Sequence, residues 1–188
     1  MISSREQAIQ LAKSLINSNP VYLDTETTGI NRNSEIVEIA IVNHIGEVIY
    51  QSLVKPTSSI PYQATRIHGI DNEMVQSSLR WPEVWQEVHS RLSNRIVCIF
   101  NSDFDVRLMQ QTHRKYHMIW QLGGDSNFHC IMKIYAQFYG QWDPRKRTYR
   151  YQSLDSARKQ CKLSIPNSHR AADDTLLARA VLHHIASQ

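Results

Sequence analysis

"VYLDTETTGI", residues 21–30, sets two carboxylates, Asp24 and Glu26, at the end of a short apolar, β-prone run and then turns the chain at Gly29. Val21, Tyr22 and Leu23 read as a buried strand, and alternation along a strand sends the side chains of Asp24 and Glu26 to the same face. Two like charges about 4 Å apart repel by several kcal/mol at an effective dielectric near 20. A chain that keeps the pair must offset that repulsion, with bound cations or with raised pKa values.

Working outward, residues 4–17 read as a helix and residues 21–26, 35–43 and 47–54 as strands joined by short turns, which predicts an antiparallel meander. After the loop "KPTSSIPYQATRIHGI" the pattern predicts helices at 71–77 and 82–93, the second with Trp81, Trp85, Val88 and Leu92 at helical spacing and the tryptophans in the core. "RIVCIF" reads as a buried strand, followed by helix 103–117, a Gly-Gly turn at 123 and 124, helix 131–139, a polar loop 140–152, and helices 153–161 and 170–186. Strands first, then strand and helix in alternation, predict an α/β fold around one mixed sheet.

The 188 residues suit one domain with a full hydrophobic core, so 1–188 is expected to form a single unit in which the helix within 1–19 precedes the sheet. No apolar run approaches the roughly 18 residues of a membrane helix. The opening "MISSREQAIQLAKSLIN" lacks the continuous apolar core of a secretory signal; it reads as an amphipathic helix capped at Ser4 with Gln7 in the capping-box position, and a cytoplasmic protein is expected. Cys98, Cys130 and Cys161 are odd in number and widely spaced, which speaks against a disulfide framework or a thiolate zinc site. A net charge of +4 permits a nucleic-acid partner without requiring one.

Two further acidic groups fall at element edges. "IFNSDFDVRLM" runs from a strand into a helix carrying Asp103 and Asp105, and strand ends are where α/β sheets usually place their chemistry. "NSHRAADDTLLARAV" opens a helix with His169 before it and Asp173 and Asp174 in its first turns, where acidic residues also suit the helix dipole and Ser168 suits a cap. Asp173 and Asp174 differ by about 100° around the helix, so periodicity alone leaves open which of them faces the sheet.

Taken together, Asp24-x-Glu26, "FNSDFD" ending in Asp105, and His169-x-Ala171-x-x-Asp174 resemble, in order, spacing and strand context, the DEDDh family of 3′-to-5′ exonucleases, which includes bacterial proofreading subunits. "IHGI" at 67–70, "WPEVW" and "SLDSARKQCKLSI" are similar to the family's connecting segments, so the likeness spans nearly the whole chain. One departure is Phe100, where many members carry a histidine that is not a metal ligand.

The resemblance implies a ribonuclease H-like fold, a central mixed five-stranded sheet flanked by helices. It implies two divalent cations, Mg²⁺ or Mn²⁺, with Asp24 bridging both, Glu26 and Asp174 completing the first site and Asp105 holding the second through water. Carboxylate oxygens suit such hard ions, which neutralise a phosphodiester and activate water. His169 is implied as general base, since an imidazole with a reference pKa near 6.5 accepts a proton at neutral pH. The family selects Asp174 over Asp173, leaving Asp173 and Asp103 to helix-start roles.

For substrate, the resemblance implies that Thr25, Thr27 and Thr28 approach the terminal nucleotide and that His68, Gly69 and Ile70 form the other wall; His68 alone reads equally as a loop-stabilising residue. Arg145, Lys146, Arg147 and Arg150, interleaved with Tyr149 and Tyr151, suit a strand of phosphates and bases, or a solvated basic loop. The expected activity is removal of mononucleotides from single-stranded DNA 3′ ends, possible partners being a polymerase or another DNA-processing complex. RNA 3′-end trimming is the alternative, because the centre acts on phosphate and does not itself read the sugar. A silent binding module and an endonuclease are less favoured, the first because all five catalytic positions are present, the second because His169 stands five residues before Asp174.

Overall fold

The computed structural model describes residues 2–122 and 127–188, so the turn expected at 123 and 124 lies outside the described residues. The chain runs α1 (Ser4–Asn17), β1 (Val21–Thr27), β2 (Ile36–Val42), β3 (Val48–Leu53), α2 (Tyr62–His68), α3 (Trp81–Leu92), β4 (Ile96–Ile99), α4 (Ser102–Lys115), β5 (Asn127–Cys130), α5 (Ile131–Tyr139), β6 (Trp142–Asp143), β7 (Thr148–Tyr149), α6 (Leu154–Gln160) and α7 (Ala171–Ala186). Five strands form the central sheet in the order β3-β2-β1-β4-β5. The β1, β2 and β3 meander is antiparallel, and β4 and β5 run parallel to β1.

Alternation along β1 divides the protein into two cores. Tyr22 packs with Leu15 of α1, Tyr135 of α5 and Ala178, Val181 and Ile185 of α7. Its neighbour Leu23 packs with Trp81, Trp85 and Val88 of α3 and Leu108 and Met109 of α4. The sheet is thus covered on both faces, and β2 is buried at every position. By the same alternation Asp24 and Glu26 share Tyr22's face, toward α7, while Thr25 shares Leu23's, toward α4. Both tryptophans at 81 and 85 are core residues, as expected.

Several local expectations are corrected. α1 is capped by Ser3, whose hydroxyl accepts from the Glu6 amide at 3.1 Å, and not by Ser4. The helix before Gly69 lies at Tyr62–His68, inside the segment read as loop, and ends where Gly69 adopts φ +74°. The stretch expected as helix 71–77 forms turns instead. There Asp71 accepts from the Met74 amide and Asn72 takes the Ile60 amide and carbonyl, so short polar side chains outcompete the helix for backbone groups. β5 had no counterpart in the sequence reading, and the polar loop contains the β6–β7 hairpin. Among the described residues no helix is long and apolar enough to cross a membrane. All three cysteines are buried and free.

Candidate active site

The β1 ladder with β2 shifts register between Glu26 and Thr27, ending the regular strand beside its second carboxylate. One carboxylate oxygen each from Asp24, Glu26 and Asp174 lies within 4.8 Å of the others. Asp24 and Glu26 keep part of their surface open, whereas Asp174 is buried. Burial and mutual repulsion together push the cluster's pKa values up. Asp24 is raised well above its usual range by burial and then by Asp105, Glu26 and Asp174. Glu26 rises to about 8 through burial, with Asp174 and Glu38 adding. Asp174 rises to about 6, burial outweighing the nearby His169 and backbone amides. An oxygen-only set that resists carrying its own charge is the donor chemistry that a hard divalent cation relieves.

Asp105 stands outside this trio because it arrives from the other helix layer. It is 2% exposed, and its Oδ1 accepts from the Thr25 hydroxyl at 2.7 Å, on the α4 side of β1. Burial lifts its carboxyl to about 7 despite that bond. Thr25 therefore serves a carboxylate, a role the sequence reading did not give it. Asp103, exposed on the same first turn, pairs with Lys133 of α5 at 2.7 Å.

Residues 167–170 fold over Asp174. His169 adopts φ +53° and holds Nδ1 3.9 Å from Asp174 Oδ2, with its side chain 52% exposed. The Asn167 amide, turned nitrogen-inward, donates to both Asp174 oxygens at 2.9 and 3.1 Å. Ser168 bonds Asp173 at 2.6 Å and does not cap the helix. The acceptor for the Ala171 amide is instead Glu38 of β2, at 3.0 Å. Burial raises the Glu38 carboxyl, but bonds from Arg170, Ala171 and Gln51 outweigh it and hold the group below its ordinary value. Sequence reasoning missed Glu38 because a single acid in the otherwise apolar "IVEIAIV" strand gives no sign of a partner 132 residues away.

A cavity of about 460 Å³ opens beside the carboxylates, walled by β1 and its turn from Thr25 to Asn31, by Ala64, Ile67 and His68 of α2, and by Phe104. Ile30 and Ile67 stand 76% and 60% exposed at its rim, apolar groups placed where a flat ring would cover them. Neither was singled out in the sequence, since an isolated exposed apolar residue is ordinary until its neighbours are known. The expected nucleotide wall is adjusted accordingly. His68 lines the cavity with its ring nitrogens already engaged, Nδ1 accepting from the Ile70 amide and Nε2 facing the Thr27 carbonyl. Ile70 is fully buried against Val37, Ile60 and Val75, so it is core and not wall. Gly69 is absent from the lining and serves the turn. Thr27 and Thr28 line it with their hydroxyls already tied, to the Gly29 carbonyl and the Glu35 amide.

The structure does not bring the basic residues into the carboxylate cluster. Asp143 accepts from the amides of Arg145 and Lys146 and pairs with Arg150 at 3.5 Å, so the β6–β7 hairpin is self-braced. Trp142 sets its edge against Tyr149, with ring centroids 5.2 Å apart. Just past the hairpin, Tyr151 lies within electrostatic reach of Lys133, the partner of Asp103.

This geometry agrees with what the chain is similar to. The exonuclease family model RNase_T matches residues 21–182. An uncharacterized exonuclease, CP81, of Escherichia phage 186 is 33% identical over 183 residues, covering 94% of this chain and 93% of that protein. The DNA polymerase III epsilon subunit of Haemophilus influenzae is 30% identical, covering 89% of this chain but 66% of its own length. Among solved structures, exonuclease X in complex with 5′-overhanging duplex DNA superposes with a TM-score of 0.66 at 24% identity, over 89% of this chain and 90% of that one. The nuclease domain of 3′hExo, a DEDDh family member bound to rAMP, gives 0.68 at 17% identity over 87% and 89%. The chain belongs to the exonuclease family, of the DEDDh, DnaQ-like type, and is a nuclease hydrolase on a ribonuclease H-like fold.

Proposed function

We propose that residues 1–188 act as one metal-dependent 3′-to-5′ exonuclease that removes nucleoside monophosphates from single-stranded DNA. The observation that carries this reading is the pairing of the Asp24, Glu26 and Asp174 oxygens with a cavity on the scale of one nucleotide directly beside them. Relatives support the substrate: exonuclease X was solved with overhanging DNA and exonuclease I with a dA16 oligonucleotide. Two Mg²⁺ or Mn²⁺ ions held by the four carboxylates would neutralise the phosphodiester and activate water.

The chain's own residues do the rest. Ile30, Ile67 and Phe104 enclose the terminal base, and the backbone of Thr27 and Thr28 faces its sugar and phosphate. His169, open to solvent beside Asp174, accepts the proton of the attacking water. Thr25 fixes Asp105 by its 2.7 Å bond. Upstream phosphates run toward the hairpin, where Arg145, Lys146, Arg147 and Arg150 neutralise charge and Tyr149 and Tyr151 stack on bases. A polymerase partner fits this reading, because the epsilon relatives carry the name of a DNA polymerase III subunit.

The test is a time course on matched 5′-labelled DNA and RNA oligonucleotides with Mg²⁺ or Mn²⁺, against EDTA and Asp24→Ala. A ladder shortening from the 3′ end, lost in both controls and faster on DNA, is the expected result. A faster RNA ladder would move the substrate to RNA, and cleavage of a circular strand would refute the exonuclease reading, since an exonuclease needs an end.

A further inference from the structure

Glu38 faces Glu26 across the β1–β2 ladder and is 1% exposed, yet it takes no part in the carboxylate trio. Its two oxygens are saturated by four donors: Arg170 Nε at 3.0 Å and Nη2 at 2.7 Å, the Ala171 amide at 3.0 Å and Gln51 Nε2 at 3.0 Å. α7 begins with no side-chain cap from its own segment, and Glu38 supplies that acceptor from a strand buried along its whole length. The two residues flanking this anchor matter to the chemistry. His169 precedes Arg170 and is held in the left-handed region, which a non-glycine residue leaves unless its surroundings hold it there. Asp174 lies one turn further on, its amide bonded to the Arg170 carbonyl at 3.0 Å.

We propose that Glu38 and Arg170 form a positioning clamp that fixes His169 over the carboxylate trio and thereby sets the rate of turnover. This rests on the reading of His169 as the base. The clamp joins the segment to a strand buried at every position, and a planar guanidinium fork against one carboxylate fixes angle as well as distance. Lysine keeps the charge but loses the fork, so Arg170→Lys separates geometry from electrostatics. Glutamine in place of Glu38 turns one acceptor into a donor facing other donors. Displacement of a catalytic group by an ångström costs on the order of a hundredfold in rate.

The experiment measures kcat and KM of Arg170→Lys and Glu38→Gln on a single-stranded oligonucleotide, alone and combined with His169→Ala, alongside amide hydrogen exchange of residues 168–172. Expected are a loss in kcat of tenfold or more in each single variant, KM within about twofold, and no added loss on the His169→Ala background, because residues acting through one group are non-additive. Exchange at 168–172 should accelerate about tenfold while the rest of α7 stays protected. Additive losses, a raised KM at unchanged kcat, or unchanged exchange in Arg170→Lys would each overturn the clamp. A wild-type protein with no exonuclease activity would instead refute the proposed function, and the exchange measurement would still decide whether the clamp holds the segment. Should Glu38→Gln melt at lower temperature throughout, Arg170→Lys carries the test, since lysine keeps a positive charge and a donor beside the buried Glu38 carboxylate.

Discussion

Replacing Asp24 by asparagine should stabilise the metal-free protein while abolishing cleavage. With trio oxygens within 4.8 Å of one another, each fully ionised pair repels by about 3.5 kcal/mol at an effective dielectric of 20. At pH 8 the folded protein either bears that repulsion or takes up a proton that unfolded Asp24, with a pKa near 3.9, does not hold; both oppose folding. Partial exposure of Asp24 and Glu26 weakens the effect, leaving a gain of about 1–3 kcal/mol, or roughly 3–10 °C in Tm for a chain of this size. The folded pKa values are raised, to about 6 for Asp174, 7 for Asp105 and 8 for Glu26, so the cluster's stability is present below the unfolded values near 4 and lost as pH rises through the folded ones. Thermal melts in EDTA should therefore show wild type falling between pH 5 and 8, Asp24→Asn falling less, and the two converging at pH 5. Mn²⁺ should raise the wild-type Tm most at pH 8. An Asp24→Asn protein that melts at or below wild type at pH 8 would refute the repulsion argument, and retained turnover would refute the metal-ligand role.

His169→Ala should lower kcat roughly a hundredfold while the Mn²⁺-induced rise in Tm persists; loss of that rise would make His169 part of the cation site. Thr25→Val removes the hydroxyl that favours ionised Asp105, so the acid limb of the pH–rate profile should move above its wild-type position, and an unmoved limb would separate Asp105 from the chemistry. Replacing Arg145, Lys146, Arg147 and Arg150 with serine should raise KM and flatten the log–log salt dependence by up to about 3, at about 0.7 per single-strand phosphate contact. An unchanged slope would return the hairpin to solvent.

Legibility varied with the range of the interaction behind each feature. Helices with strong apolar periodicity, such as α3, were read to within a residue or two, since their buried stripe is a local pattern. Helix α2 was missed because its seven residues are held by packing of Ala64 and Ile60 in a small separate core. The four-residue β5 escaped because its existence depends on pairing with β4.

The sequence by itself determined the chemistry on offer: alternation put Asp24 and Glu26 on one face, and the Asp105 and His169–Asp174 motifs fell at element edges. Only the tertiary structure decided how those groups divide. Asp174 joins the trio because α7 packs on Tyr22's side of the sheet, and Asp105 stands apart on Thr25 because α4 packs on Leu23's. It also decided that Ile70 turns inward, and that Glu38, twelve residues beyond Glu26 and outside every motif read from the sequence, anchors the turn before α7. Such outcomes rest on contacts between residues far apart in the chain, and a local pattern carries no record of which distant surface will bury it.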